Sequence, residues 1–198
     1  MKTGIRGKRV ALAVMALLAA SPCLGVPAIS LLPQTQTVML GTPFTVDLLI
    51  SGLGNGVALG AFDLNLDLVS TDIVFVGATF GAQLDLFSFG DLQSVTVTAG
   101  RVQLLEVSFE SSADLLALQP ANFRLASITF DTLASTASSP LTLSLNALGD
   151  AAGVPLSATV LSGAVTISPV PESSALAMML AGSALLASLL SRRRQQAV

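Results

Sequence analysis

Apolar and polar residues alternate with a period of two through the middle of this chain. Residues 62–68 read FDLNLDL: Phe62, Leu64, Leu66 and Leu68 fall on one side, Asp63, Asn65 and Asp67 on the other. A half-buried strand requires this pattern, because successive side chains of extended backbone point to opposite faces. Similar runs predict strands over Phe44–Ile50, Ile73–Phe80, Val95–Thr98, Val102–Phe109, Phe123–Phe130, Leu141–Leu145 and Val160–Ile167. Turn formers separate them at Gly52–Gly56, Thr71-Asp72, Ala99-Gly100, Ser138–Pro140 and Gly149–Gly153. Ala99-Gly100, between two alternating runs, predicts a tight hairpin. Ser112–Leu118, ahead of Pro120, predicts one short helical turn. Many short strands at regular spacing predict an all-β antiparallel sandwich or jelly roll.

The pattern breaks at both ends. Val10–Ala20 is an unbroken apolar run behind Lys2, Arg6, Lys8 and Arg9, with small residues following at Gly25 and Ala28. Basic, apolar, then small is the order of a secretory signal peptide, and residues 1–28 are read as one, cleaved near Gly25 or Ala28. Pro22 directly before Cys23 does not suit lipid attachment there. At the other end come Val170-Pro171-Glu172-Ser173, the apolar run Ala175–Leu190, and Arg192-Arg193-Arg194. As a helix, residues 175–190 span about 24 Å. That is slightly short of a hydrocarbon core of about 30 Å, and flanking residues and snorkelling arginines extend it. A transmembrane helix over 175–190 is expected. The arginines and the N-terminal bases stay cytoplasmic by the positive-inside rule, which puts the middle of the chain across the inner membrane.

Val-Pro-Glu, an apolar helix and an arginine cluster at the extreme terminus resemble a PEP-CTERM sorting signal over residues 170–198. Val170, Pro171 and Glu172 match the family's motif, and Ser173 stands where a second proline is usual. The resemblance implies processing by an exosortase, a membrane cysteine protease of Gram-negative bacteria that make exopolysaccharide. Arg192, Arg193 and Arg194 take the role of the membrane-stop cluster. The implied route is export, anchoring by the C-terminal helix, then release to the cell surface or extracellular matrix.

Charge separates the middle from the ends. Seven of the nine basic residues lie in the terminal segments. Between them, Arg101 and Arg124 face eleven Asp and Glu residues, a net of −9. So acidic a domain repels phosphate backbones, and nucleic acid is excluded as a partner. Cys23, the single cysteine, falls inside the signal peptide, and the chain has no His, Trp or Tyr. A mature domain without His or Cys cannot build a Ser-His-Asp or Cys-His site, and it lacks the usual zinc and copper ligands. No cofactor, no metal and no enzymatic activity are expected.

Two acidic patterns remain as candidate carriers of chemistry. Glu106 and Glu110 would share one strand face about 13 Å apart, too far for a glycosidase pair, and are read as solvated positions. Asp63-x-Asn65-x-Asp67 mimics the start of an EF-hand loop, but Leu68 and Val74 stand where glycine and glutamate belong. It is read as the polar face of a strand. Gly52-x-Gly54-x-Gly56 sits in a turn, not before a helix, and is no phosphate loop. The nine phenylalanines are assigned mostly to the core, leaving no aromatic platform for sugars.

The order of elements carries a second resemblance. Val38, Gly41, Phe44, Thr45 and Val46 open it, followed by Leu59-Gly60-Ala61-Phe62-Asp63-Leu64, then Leu66-Asp67. Residues 125–130, Leu148-Gly149-Asp150 with Gly153, and Ser162–Ile167 follow. Residues 29–169 are thereby similar to a cohesin-type domain, a jelly-roll sandwich of about nine strands. Cohesins bind dockerin modules, and related sandwiches bind carbohydrate. The resemblance therefore implies a non-catalytic binding or structural domain. A dockerin-like or other protein partner and an exopolysaccharide or other carbohydrate both remain open as its ligand.

Overall fold

The structure is a computed structural model that describes residues 26–69, 71–170 and 178–185. In chain order the strands begin with β1 (Ala28–Leu32), β2 (Thr35–Met39), β3 (Phe44–Ser51) and β4 (Leu59–Leu68). Next come β5 (Ile73–Phe80), β6 (Asp91–Thr98), β7 (Arg101–Ser108) and a helix, α1 (Ser112–Leu118). The last four are β8 (Phe123–Thr132), β9 (Thr136–Asp150), β10 (Thr159–Leu161) and β11 (Gly163–Ser168). They form two facing sheets, ordered β10-β1-β3-β8-β5 and β2-β11-β9-β4-β7-β6. All pairings are antiparallel except β1 with β10 and β2 with β11.

The alternation seen in the sequence is the alternation of burial. In β4, Phe62, Leu64 and Leu66 are buried, while Asp63, Asn65 and Asp67 face away from the core. The inner faces of both sheets interdigitate around Phe130, whose ring lies 5.3 Å from Phe44 and 6.3 Å from Phe75. Edge-on and offset ring contacts of this kind add to simple area burial. The predicted hairpin is present: β6 and β7 pair from Thr98 and Arg101 backwards, and Gly100 takes a φ of +75° that glycine tolerates best. The predicted helical turn is α1. Ser111 caps it, accepting from the Asp114 amide at 3.2 Å, and Pro120 follows its end.

Eleven strands among the described residues replace the nine expected, because each end of the domain crosses between sheets. β1 and β10 lie in one sheet, and their continuations β2 and β11 lie in the other. The single strand expected over Val160–Ile167 is therefore two strands, broken at Ser162. The crossings are tied together: the Ala164 amide donates to the Gln34 carbonyl at 2.9 Å, and Gln34 Nε2 donates to the Ser162 carbonyl at 3.1 Å. They approach so closely that a Cβ on Gly163 would sit 2.6 Å from the Gln34 oxygen. Six of the nine phenylalanines are buried or packed against the core, but Phe87, Phe89 and Phe109 are exposed. Phe109 lies one residue beyond the end of its strand, where the burial pattern no longer applies.

Residues 178–185 are helical and, apart from the half-buried Gly182, exposed, inside the segment predicted to span a membrane. Among the described residues no helix is long and apolar enough to cross one. The rest of the predicted span and the predicted signal peptide up to residue 25 lie outside the described residues.

Candidate functional site

The outer face of the six-stranded sheet is the candidate site. Its centre is polar and already bonded within itself. Asp63 Oδ1 accepts from Gln103 Nε2 at 2.8 Å and from Asn146 Nδ2 at 3.0 Å. Asn65 Nδ2 donates to Asn146 Oδ1 at 2.9 Å. Asn146 reaches this network because of a bulge in β9. Asp63 pairs with Ala147 and Leu64 with Leu145, so Asn146 is the unpaired extra residue. A bulge re-aims a side chain in this way, and the flanking residues alone do not announce it. At one end Arg101 binds Asp67 through two hydrogen bonds of 2.5 and 3.0 Å. The Arg101 guanidinium, chiefly by hydrogen bonding, holds the Asp67 carboxyl below its ordinary range. The Asp63-Asn65-Asp67 triplet is thus the polar outer face of a strand, as its alternation implied.

At the other end the face becomes an open groove of about 840 Å³, lined by Ala61, Val107, Leu115, Ala147 and Leu156, with Glu110 at its edge. Small side chains on β4 and β9 leave the floor low. The turn after β9 forms one wall, and Asp150 Oδ1 holds it by accepting from the amides of Ala152 and Val154 at 2.9 and 2.8 Å. The helix α1 stands opposite. Gln119, just past its end, donates to the carbonyls of Leu59 at 3.1 Å and Gln83 at 3.0 Å.

Glu106 corrects an expectation. It is not solvated and does not share a strand face with Glu110, which lies beyond the end of β7. Glu106 points inward with Val102 and Leu104 and is fully buried. Its Oε1 accepts from Gln93 Nε2 at 3.3 Å, and no hydrogen atom reaches Oε2 from a donor of the fold. Burial, then proton sharing with Asp91 and the charges of Asp91 and Asp85, pushes this carboxyl up to about 9, against the Gln93 amide. It therefore holds its proton at neutral pH, opposite Gln93 across the β6–β7 pair. The parity shared with Val102 and Leu104 was the available signal.

Among the described residues no group of three or more His, Cys, Asp or Glu is disposed to hold a metal ion. Of the sorting residues, Val170 is exposed just past β11. Pro171, Glu172, Arg192, Arg193 and Arg194 lie outside the described residues.

No protein-family model matches the chain, and no curated protein matches it. Solved structures do match. A non-cellulosomal cohesin from the archaeon Archaeoglobus fulgidus superposes with a TM-score of 0.57 at 15% identity, covering 78% of this chain and 98% of that one. The sandwich is a cohesin-type fold. A type I cohesin from Clostridium thermocellum, solved in a cohesin–dockerin complex, gives a TM-score of 0.60 at 14% identity, with 73% and 100% covered. A cohesin module from a family 33 glycoside hydrolase of Clostridium perfringens gives 0.54 at 16%, with 74% and 98% covered. These cohesins share the fold while keeping few residues in common with the chain.

Proposed function

We propose that this chain is an exported, non-catalytic protein of the cell envelope or extracellular matrix whose cohesin-type sandwich docks a protein partner. The docking surface is the outer face of β9, β4, β7 and β6. One observation carries this reading: the face is held in place by its own hydrogen bonds. Asp63, Asn65, Gln103 and Asn146 already hold one another, and the groove beside them has hydrogen-bonded walls. A surface so preorganised loses little conformational freedom on association. Cohesins of the same fold have been solved with dockerins bound, which makes a dockerin-like module the partner class we carry over.

Sorting completes the reading. Val170, Pro171 and Glu172 are the segment an exosortase-type enzyme reads, and residues 175–194 hold the chain in the inner membrane until processing. The sandwich then works at the cell surface or in the matrix.

The test is capture of partners by the full-length tagged protein from its native envelope. Ala147 is exposed on the groove floor, and Ala147→Arg fills the groove. Thr45→Arg, on the outside of the opposite sheet, is the control. The reading expects a protein retained by wild type and Thr45→Arg and lost with Ala147→Arg. Retention by all three, or loss from both variants, overturns it.

A further inference from the structure

The loop from Gly81 to Gly90, joining β5 to β6, holds two phenylalanines out to solvent. Phe87 is 48% and Phe89 77% exposed, their ring centroids 5.7 Å apart and tilted by 45°. This is not a slack loop. Leu84 is buried beneath it, the Gly81 amide donates to the Leu125 carbonyl at 2.7 Å, and Ser108 Oγ donates to the Leu84 carbonyl. Between the rings Ser88 adopts a φ of +57°, a left-handed conformation that serine rarely takes and that surrounding structure must impose. Two carboxylates complete the frame. Glu110 Oε1 accepts from the Phe87 amide at 2.9 Å, and Asp85 Oδ1 accepts from the Gly90 amide at 3.0 Å. Glu110 also edges the groove, so the rings stand at one end of the binding face.

Charge names what such a place receives. Arg101 and Arg124 are the basic residues among those described; the first is bonded to Asp67 and the second lies 3.9 Å from Asp47. Among the described residues, nothing cationic remains for Asp85 and Glu110. A cation over an aromatic face with carboxylates alongside is doubly stabilised, and arginine suits both, stacking on the ring while its fork reaches a carboxylate. Anionic surfaces are repelled by the same field.

We infer that Phe87 and Phe89, framed by Asp85 and Glu110, receive an arginine or lysine side chain set beside an apolar residue on the protein partner. This rests on the protein-docking reading above and specifies the partner's chemistry at one end of that face. Fluorescence anisotropy of the full-length protein in detergent tests it, with a short labelled peptide of alternating Arg and Leu as probe and its Gln-Leu counterpart as control. Wild type is expected to bind the Arg peptide, more weakly at high salt, and not the Gln peptide. Phe89→Ala is expected to weaken binding about tenfold. Phe89→Leu keeps an apolar side chain without the π face and is expected to weaken it as well. Asp131→Asn, on the other sheet, leaves it unchanged. Equal binding of the Gln peptide, or full binding by Phe89→Leu, overturns the inference. So does loss of a neutral polysaccharide, rather than of the Arg peptide, from Phe87→Ala/Phe89→Ala. In the envelope capture, a partner lost with Ala147→Arg but kept by Phe87→Ala/Phe89→Ala sinks this inference alone, whereas a partner kept by Ala147→Arg sinks the docking reading itself.

Discussion

Replacing Glu106 with glutamine should make this protein more stable at neutral pH, and by an amount that depends on pH in a defined direction. In the unfolded chain the carboxyl titrates near its ordinary value of 4.5; in the fold it holds its proton to about 9. Between those values the native state binds a proton that the unfolded state has released, so stability falls as pH rises. The contribution is complete below pH 4.5 and is gone once the pH passes 9. Each unit corresponds to about 1.4 kcal/mol, so at pH 7 roughly 3 kcal/mol has been lost. Water reaching the exposed edge strand β6 screens part of this, which makes the figure an upper one. Glutamine stays neutral, fills the same space and keeps an oxygen that can accept from Gln93. Glu106→Gln should therefore match wild type near pH 4.5, exceed it by up to about 3 kcal/mol at pH 7, and by more at pH 9. With no Trp or Tyr in the chain, urea unfolding at each pH is best followed by far-UV circular dichroism. Taking the difference between the two proteins cancels the other carboxylates, including Asp67, whose depressed value acts in the opposite sense at low pH. A variant that is destabilised, or whose advantage is the same at every pH, would falsify a buried Glu106 that is protonated at neutral pH.

Three further outcomes are expected. Phe130→Ala removes the ring between Phe44 and Phe75 and should cost about 3–5 kcal/mol in chemical denaturation. Gly163→Ala forces a Cβ against the Gln34 carbonyl, a backbone group that cannot swing aside, and should lower stability by about 1–3 kcal/mol in the same assay. Pro171→Ala with Glu172→Ala should leave membrane insertion intact but block C-terminal maturation in a host that makes an exosortase. Membrane fractionation with C-terminal peptide mapping checks this, and identical products from wild type and double variant would rule out the sorting role.

Residues 62–68 determine their own strand, because the period-two pattern is local and each apolar position must find a buried face. The Ala99-Gly100 hairpin and the Ser111–Asp114 cap are equally local, since turn and cap chemistry acts over three or four residues. The basic-apolar-small order at the start and the Val170–Glu172, apolar, arginine order at the end are also sequence statements, and they rest on sequence. What lay beyond local reading depends on partners distant along the chain. β1 and β2 are too short to show a pattern; pairing of β1 with β3 and β10, and of β2 with β11, defines them. Glu106 shares the parity of Val102 and Leu104, but only the closing of the two sheets over that face buries it, and burial then protonates it. Asn146 joins Asp63 only through a bulge that the pairing of β9 with β4 creates. Phe87 and Phe89 look like core residues by composition. Only the placement of Leu84 beneath their loop, and of Glu110 and Asp85 around it, turns them outward. Alternation divides a strand's residues into two sets; which set is covered, and by what, is decided by contacts between residues that the sequence keeps far apart.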